Sequence, residues 1–323
     1  MSDCESPLKG KWALILGSSS GFGAATARKL SSKGMNIFGV HLDMKQTMPQ
    51  VRKVISDIEA NGAKAVFFNM NATNERKRAK ALKKMKEELE ASGEPYIWLM
   101  MHSLAFGTLK PFIAENPEDA IDPASMNMTL EVMAHSLVYW TQALYREGML
   151  GRGSRIFSMT SEGSHRVVPG YGAVSAAKAA LESHTRQLAM ELGKDGILVN
   201  CIQAGVTDTP ALRQIPGHEQ IIEASIRRNP GGRMTTPEDV ANTIAALAVP
   251  EVSWISGSII FVDGGEDVVG QEQRCINRFR DSYIRCRIFP KGVIGPWSTC
   301  RLADSSRALQ ACGRGMAYAV PRG

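Results

Sequence analysis

The sequence predicts a doubly wound α/β fold, a seven-stranded parallel sheet covered by helices on both faces. Three observations carry that expectation. Short apolar runs alternate with longer segments of helical pattern between residues 12 and 263. The runs are apolar throughout, as strands buried on both faces require, instead of alternating with polar residues. A glycine-bearing turn follows the first run directly, where such sheets bind their ligands at the carboxyl ends of strands.

Taken in order, "WALILG" (residues 12–17) reads as the first strand, with a helix from about 23 to 33. "MNIFGV" (35–40) is the second strand, followed by a helix to about residue 60 and a third strand, "KAVFFN" (64–69). A charged segment at about 74–91 interleaves acidic and basic residues, the pattern of a solvated helix face. "YIWLMM" (96–101) is the fourth strand, and a long helix spans about 125–147. "RIFSMT" (155–160) leads into the helix of "GYGAVSAAKAALE" (170–182), and "ILVNCI" (197–202) and "SIIFVD" (258–263) complete the sheet. One catalytic domain over residues 1–270 with an appended segment, 271–323, is the simplest organisation.

The net charge of +6 belongs to that last segment. It carries ten Lys+Arg against three Asp+Glu, whereas the first 270 residues hold 28 basic and 29 acidic ones. The main domain therefore offers no broad phosphate-binding face, which argues against a nucleic-acid partner. Cys4 and Cys201 lie in the body, and Cys275, Cys286, Cys300 and Cys312 in the basic segment. None has the close paired spacing of a zinc site, so no metal is expected and free thiols are. No apolar run is long enough to span a membrane, and the first residues lack a signal peptide's apolar stretch. A soluble cytoplasmic protein is expected, with segment 271–323 either disordered or an oligomer contact, and dispensable for chemistry.

"LGSSSGFGAATARKL" places Gly17, Gly21 and Gly23 between the first strand and the first helix. Residues without a Cβ let the backbone approach a pyrophosphate, whose charge meets the helix N-terminus. An ordinary tight strand–helix turn is the plainer alternative. The position directly after a buried strand favours dinucleotide binding. Ser19 and Phe22, within the same turn, are grouped with the glycines as cofactor contacts.

The spacing G-x-x-x-G-x-G resembles that of the short-chain dehydrogenase/reductase superfamily, and the resemblance covers nearly all of residues 9–265. "VNCIQAG" before a threonine-rich loop and "IIFVDGG" at the last strand agree with it. The resemblance implies a Rossmann fold, a nicotinamide cofactor and a homotetramer. By spacing from Gly34, the position that is usually acidic falls on His41, with Asp43 two residues later. His41 and Lys45 would tolerate a 2′-phosphate and Asp43 would oppose one, which leaves NADH and NADPH open. Asn71 is the implied adenine contact. Ser103, Leu104 and Ala105 are expected to line the cofactor through their backbone, and Gly205, Thr207 and Thr209 to flank the nicotinamide. An N-cap is the alternative for Thr209.

Most members of the superfamily carry Y-x-x-x-K, but the residue four before Lys178 is Val174 and the tyrosine is Tyr171. Positions i, i+4 and i+7 share a helix face, so Tyr171 and Lys178 still point the same way. The hydroxyl has moved along the axis by about 4.5 Å. In a ketone reductase the acid protonates the oxygen bonded to the carbon that takes the hydride. In an enoyl thioester the hydride goes to the β-carbon, and charge develops on a carbonyl oxygen two carbons away. A tyrosine one turn back meets that oxygen.

The Y-x6-K pattern resembles bacterial enoyl-acyl carrier protein reductases, in the subclass with an ordinary glycine turn. "MMHSLAFG" (100–107) agrees, because enoyl reductases have a His-Ser-containing run after the fourth strand. "RNPGGRM" and "AGVTDTPALRQIPG" fit the subclass as well. The resemblance implies NAD(P)H-dependent reduction of trans-2-enoyl thioesters on acyl carrier protein in fatty acid synthesis. Tyr171 stabilises the enolate, Lys178 orients the cofactor, and Thr160 stands in the family serine's place. Ser161 replaces a second tyrosine beside the acyl pocket, and Met133 stands near the position of the relay asparagine.

His102 is a weaker candidate, either for proton transfer or for packing at the strand end. Met100, Met101, Met126, Met128 and Met133 read as core or pocket filler. Residues 208–228 are expected to form a substrate lid broken at Pro216–His218, with Ala211 and Leu212 on the pocket. Arg213, Arg227 and Arg228 are candidates for meeting an acidic carrier protein. A carbonyl reductase of the same superfamily, and a dinucleotide-binding regulator without catalysis, are the alternatives.

Overall fold

The computed structural model describes residues 6–270 except Pro216. Cys4, the basic segment 271–323 with its four cysteines, and the proline of the expected lid break lie outside the described residues. Strand β1 (Trp12–Leu16) is buried along its whole length. Its side chains divide by parity, as a strand covered on both faces must. Trp12, Leu14 and Leu16 enter one core, and Ala13 and Ile15 the other. With it run β2 (Asn36–His41), β3 (Ala65–Asn69), β4 (Ile97–His102), β5 (Arg155–Ser161), β6 (Leu198–Ala204) and β7 (Ile259–Val262). All pairings are parallel, in the order β3-β2-β1-β4-β5-β6-β7.

Helices close both faces. Helix α1 (Gly21–Ser31) and α2 (Met48–Ala60) bury Ala24, Leu30, Val54 and Ile58 with Ala13 and Ile15. On the opposite face, α3 (Glu75–Ser92) contributes Leu82, Met85 and Leu89. Helix α4 (Pro123–Leu130) and α5 (Ser136–Arg146) are joined by a π-helical segment, Glu131–His135, so the predicted long helix is continuous but locally widened. Helix α6 (Gly172–Leu192) completes this face with Ala177, Leu181 and Leu188. Helix α7 (His218–Arg228) follows β6, and α8 (Pro237–Leu247) packs Val240 and Ile244 beside α1. A reciprocal Thr236–Asp239 cap starts α8.

Three large indoles are buried without stranding their N–H groups: Trp12 donates to Ser92 Oγ, Trp98 to the Ala248 carbonyl and Trp140 to the Ala72 carbonyl. The buried Arg155 guanidinium lies over Trp98 and donates to the carbonyls of Gly153, Leu247, Val249 and Val252, tying the chain after α8 to the amino end of β5. Among the described residues, no helix is long and apolar enough to cross a membrane.

Strand order reverses between β1 and β4, whose connections leave in opposite directions. The crevice beyond their carboxyl ends is the place where such a sheet receives a ligand.

Candidate active site

The glycine turn opens at that crevice. Gly17 has φ +90°, and a Cβ there would stand 2.4 Å from the Ser103 carbonyl oxygen. A Cβ on Gly23 would stand 2.0 Å from the carbonyl oxygen of Gly17. Side chains are therefore excluded at both positions, and the amino end of α1 is left open to an anion. Ser103 and Leu104 border the turn from β4. Thr209 borders it from the other side, its methyl 3.5 Å from a Cβ built on Gly21. Thr209 Oγ1 also accepts from the Leu212 amide, and Thr207 Oγ1 donates to the Gly205 carbonyl. Thr209 is not the N-cap of the turn that follows, a position held by Ala211 without a side-chain cap, and the residue faces the glycine turn. These observations fit a dinucleotide whose pyrophosphate lies against residues 17–23.

At the end of β2 the geometry reassigns His41. Its ring is 4% exposed and turned inward against Phe67, with Nδ1 3.0 Å from an Asp43 oxygen. Strand alternation sends residue 41 into the core, so its contribution is to hold Asp43 and not to face a cofactor. Asn69 fixes the same loop twice: its Oδ1 accepts from the Asp43 amide and its Nδ2 donates to the Asp43 carbonyl. Burial works against the Asp43 carboxylate, but hydrogen bonds from Thr47, Ser19 and His41 outweigh it and hold the group below its ordinary range. Asn71 is exposed, its Oδ1 accepting from the amide and hydroxyl of Thr73.

Tyr171 precedes helix α6 instead of lying on its first turn. It is the N-cap residue, with φ −92° and ψ 0°, and its carbonyl accepts from the Ser175 amide. Its ring rests on Gly163, where a Cβ would come within 2.5 Å of it. Burial pushes the phenol above its ordinary value. A hydrogen bond from Ser161 opposes that rise and the Glu162 charge adds to it. Lys178 is 7% exposed and donates to the Met159 carbonyl at 2.6 Å.

Thr160 is placed differently from the expectation. Its hydroxyl donates to Glu182 of α6 at 2.6 Å, and Ser161, on the other face of β5, is the residue beside the phenol. Val174 is 4% exposed. A Cβ built on Gly107 would meet Val174 at 3.0 Å, Met133 Sδ at 3.1 Å and Thr129 at 2.7 Å. Val174, at the Y-x-x-x-K position, and Met133, near the expected relay position, thus pack around Gly107 as one apolar plug, with Met133 inside the π-helical segment.

His102 is a structural residue. Burial, with the Lys178 charge, pushes it down to about 3, so it is neutral at working pH. Ser136 Oγ donates to the Val132 carbonyl, so His102 Nε2–H donates to Ser136 Oγ, 2.8 Å away. Strand β4 is thereby fastened to the start of α5.

The segment expected to form a lid runs as a 3₁₀ turn, Leu212–Gln214, and then α7, with Ala211 exposed and Leu212 half-buried. Arg213 pairs with Asp208. Arg228 turns inward, bridging Glu162 and Glu266 at 2.6 and 2.8 Å, which removes it from the carrier-facing candidates. Arg166 and His165 meet Asp267 in the same region. Sequence reasoning missed Asn69, Glu162, Glu182, Glu266 and Asp267. Acids divided among the turn after β5, helix α6 and the segment after β7 leave no periodic signal, and only the fold brings them near the site.

A family profile described as "Enoyl-(Acyl carrier protein) reductase" matches residues 17–266. The chain is 29% identical over 268 residues to the enoyl-[acyl-carrier-protein] reductase [NADH] of Aquifex aeolicus, covering 81% of this chain and 93% of that protein. A crystal structure of an enoyl-[acyl-carrier-protein] reductase (NADH) from the same organism matches with a TM-score of 0.69 and 26% identity, over 82% of this chain and 99% of that one. Versicolorin reductase 1 of Dothistroma septosporum is 28% identical, covering 80% and 96%. A short-chain dehydrogenase of Burkholderia cenocepacia solved with NADP has a TM-score of 0.67 and 29% identity, covering 81% and 99%.

Proposed function

The chain belongs to the enoyl-(acyl carrier protein) reductase family of short-chain dehydrogenases/reductases, and from that membership we propose that it reduces the trans-2 double bond of enoyl thioesters presented on acyl carrier protein, with NADH as cofactor. The observation that carries the reading is the apolar plug. With Val174 and Met133 buried together, no donor stands where a ketone reductase holds its acid, and the phenol is at Tyr171.

Bound NADH supplies the hydride. Residues 17–23 hold its pyrophosphate, and Lys178 orients the nicotinamide half with the N–H groups it does not give to Met159. Tyr171, kept protonated by burial, donates to the thioester oxygen on which negative charge gathers as the β-carbon is reduced. The resulting enolate takes its proton at the α-carbon from solvent, so replacing the relay asparagine by Met133 costs this reaction little. Ser161 orients the phenol, and Ala211 and Leu212 cover the acyl group.

Mixing the protein with crotonyl thioester and each reduced cofactor, and following nicotinamide absorbance, tests this directly. Turnover is expected. Brisk reduction of a ketone with none of the thioester would replace the reading by a carbonyl reductase of the same superfamily.

The cofactor choice rests on Asp43. Its ionised carboxylate is locked beside Ser19 of the glycine turn, where it accepts from a ribose diol and repels a 2′-phosphate. With His41 buried, the basic tolerance read from the sequence reduces to Lys45. Asp43→Ser is expected to shift the NADH:NADPH ratio of kcat/KM toward NADPH by about 10–100-fold, the scale of one close like-charge contact. An unchanged ratio would place cofactor discrimination elsewhere.

A further inference from the structure

Arg228 has no part in the chemistry described above, yet it joins the segments that border the site. It is the last residue of the lid helix α7. One of its terminal nitrogens donates to Glu162 Oε2 at 2.6 Å and to Glu266 Oε1 at 2.8 Å. Glu162 stands between Ser161, which bonds the phenol, and Gly163, on which the Tyr171 ring rests. Glu266 is 1% exposed and lies under the turn after β6. Its Oε2 accepts from the Val206 amide and would be 3.0 Å from a Cβ on Gly205. One guanidinium therefore fastens the lid, the Ser161–Gly163 turn and the turn bearing Thr207 to one another.

The arrangement is costly to maintain. Arg228 Nε is buried with no hydrogen-bond partner, as is Ser225 Oγ one helical turn earlier. Burial pushes the Glu162 carboxyl up, although Arg228 and Arg166 pull it down. Glu266 is buried, while Glu162 and Arg228 are half-buried and Arg166 pairs with Glu162 as well, so the cluster bears a desolvation cost that partly buried ion pairs rarely repay as a stability device. They make sense as a rigid link between moving parts. A lid settling over an acyl group at Ala211 and Leu212 would draw α7 with it, and Arg228 would pass that movement to Glu162 and hence to the surface under the phenol.

Building on the enoyl-reductase reading, we propose that Arg228 is a positioning residue that couples lid closure to the placement of Tyr171 through Glu162. The link stays clear of the glycine turn at residues 17–23, and Glu266 keeps its own bond to the Val206 amide when Arg228 is replaced, so loss of the link should appear in kcat and not in cofactor affinity. Displacing a catalytic group by about 1 Å costs up to about 100-fold in rate.

The test uses Arg228→Met, Arg228→Lys, Glu162→Gln and the Met/Gln double variant of the full chain, assayed with crotonyl thioester. Arg228→Met is expected to lower kcat by about 10–100-fold with the cofactor KM unchanged. Arg228→Lys should recover part of the loss, since an ammonium still reaches a carboxylate. Glu162→Gln keeps the shape of the turn and should lower kcat on its own. The double variant should be no slower than Arg228→Met, because both changes cut the same link. Amide exchange measured without substrate should rise in both 161–165 and 218–228 of Arg228→Met and stay unchanged in 75–92. Losses that multiply, a change in the cofactor KM alone, or exchange rising in only one of the two segments overturns the proposal. If the unaltered protein reduces no enoyl thioester, the enoyl reading fails, and the exchange pattern alone then decides whether the link exists.

Discussion

Tyr171→Phe is expected to lower kcat for crotonyl thioester reduction by about 10²–10³-fold, the usual cost of removing one preorganised donor from a developing oxyanion. The affinity for NADH should not change. Phenylalanine keeps the ring that rests on Gly163 and leaves the Tyr171 carbonyl to accept from Ser175, so neither the turn nor the start of α6 is disturbed. The lost atom is the hydroxyl alone. It is matched to its task by environment: burial, with the nearby Glu162 charge, holds the phenol above its ordinary value against the contact from Ser161. The group therefore enters the reaction as a donor and stays one across the working pH range. Steady-state rates together with a fluorescence titration of NADH check the prediction. Rates within about threefold of the parent would move catalysis to another residue.

The spacing that singled out Tyr171 was read as a helix repeat, but Tyr171 is the N-cap of α6, so the sequence marked the residue while the turn at Gly163 and Gly170, not the helix, sets where its ring lies. The sheet was legible because strands such as Trp12–Leu16, buried on both faces, have to be continuously apolar. What sequence could not give was the direction of polar side chains at strand ends. Thr160 and Ser161 are adjacent hydroxyl residues, and only the placement of α6 decides that Thr160 meets Glu182 while Ser161 meets the phenol. His41 and Asp43 are a second instance, since two positions sharing a strand parity divide when the strand ends at His41 and the chain turns. The Arg228 link was invisible for a different reason. Its three members, at 162, 228 and 266, come together only through the sheet order, which sets β5, β6 and β7 side by side.

Lys178 should give the protein opposite pH slopes in activity and in stability. Burial pushes its ammonium from the usual 10.5 down to about 8, with Cys201 and Glu182 acting weakly in the other direction. The role proposed for it with the cofactor needs the charged form, which is lost as pH rises through about 8. In the free enzyme kcat/KM should therefore fall on the alkaline side with an apparent pKa of about 8. Tyr171 does not produce that limb, because its phenol is displaced upward and still holds its proton there. On that proposal the hydroxyls of a bound ribose would accept from the ammonium and favour it, so the same limb should lie at higher pH in kcat, which reports the complex. Stability follows the reverse sign. Between about 8 and 10.5 the unfolded chain holds the Lys178 proton and the folded one does not, so this group's contribution to stability rises with pH across that window. Loss of activity there is a site titration, separable from alkaline unfolding. Lys178→Met should abolish the limb near 8 along with most of the activity and cofactor affinity, while making the fold no less stable. Paired pH profiles of kcat/KM and of the denaturant midpoint for the parent and the variant measure both slopes. A parent midpoint that drops in step with activity above pH 8 would assign the alkaline loss to unfolding and remove Lys178 from the explanation.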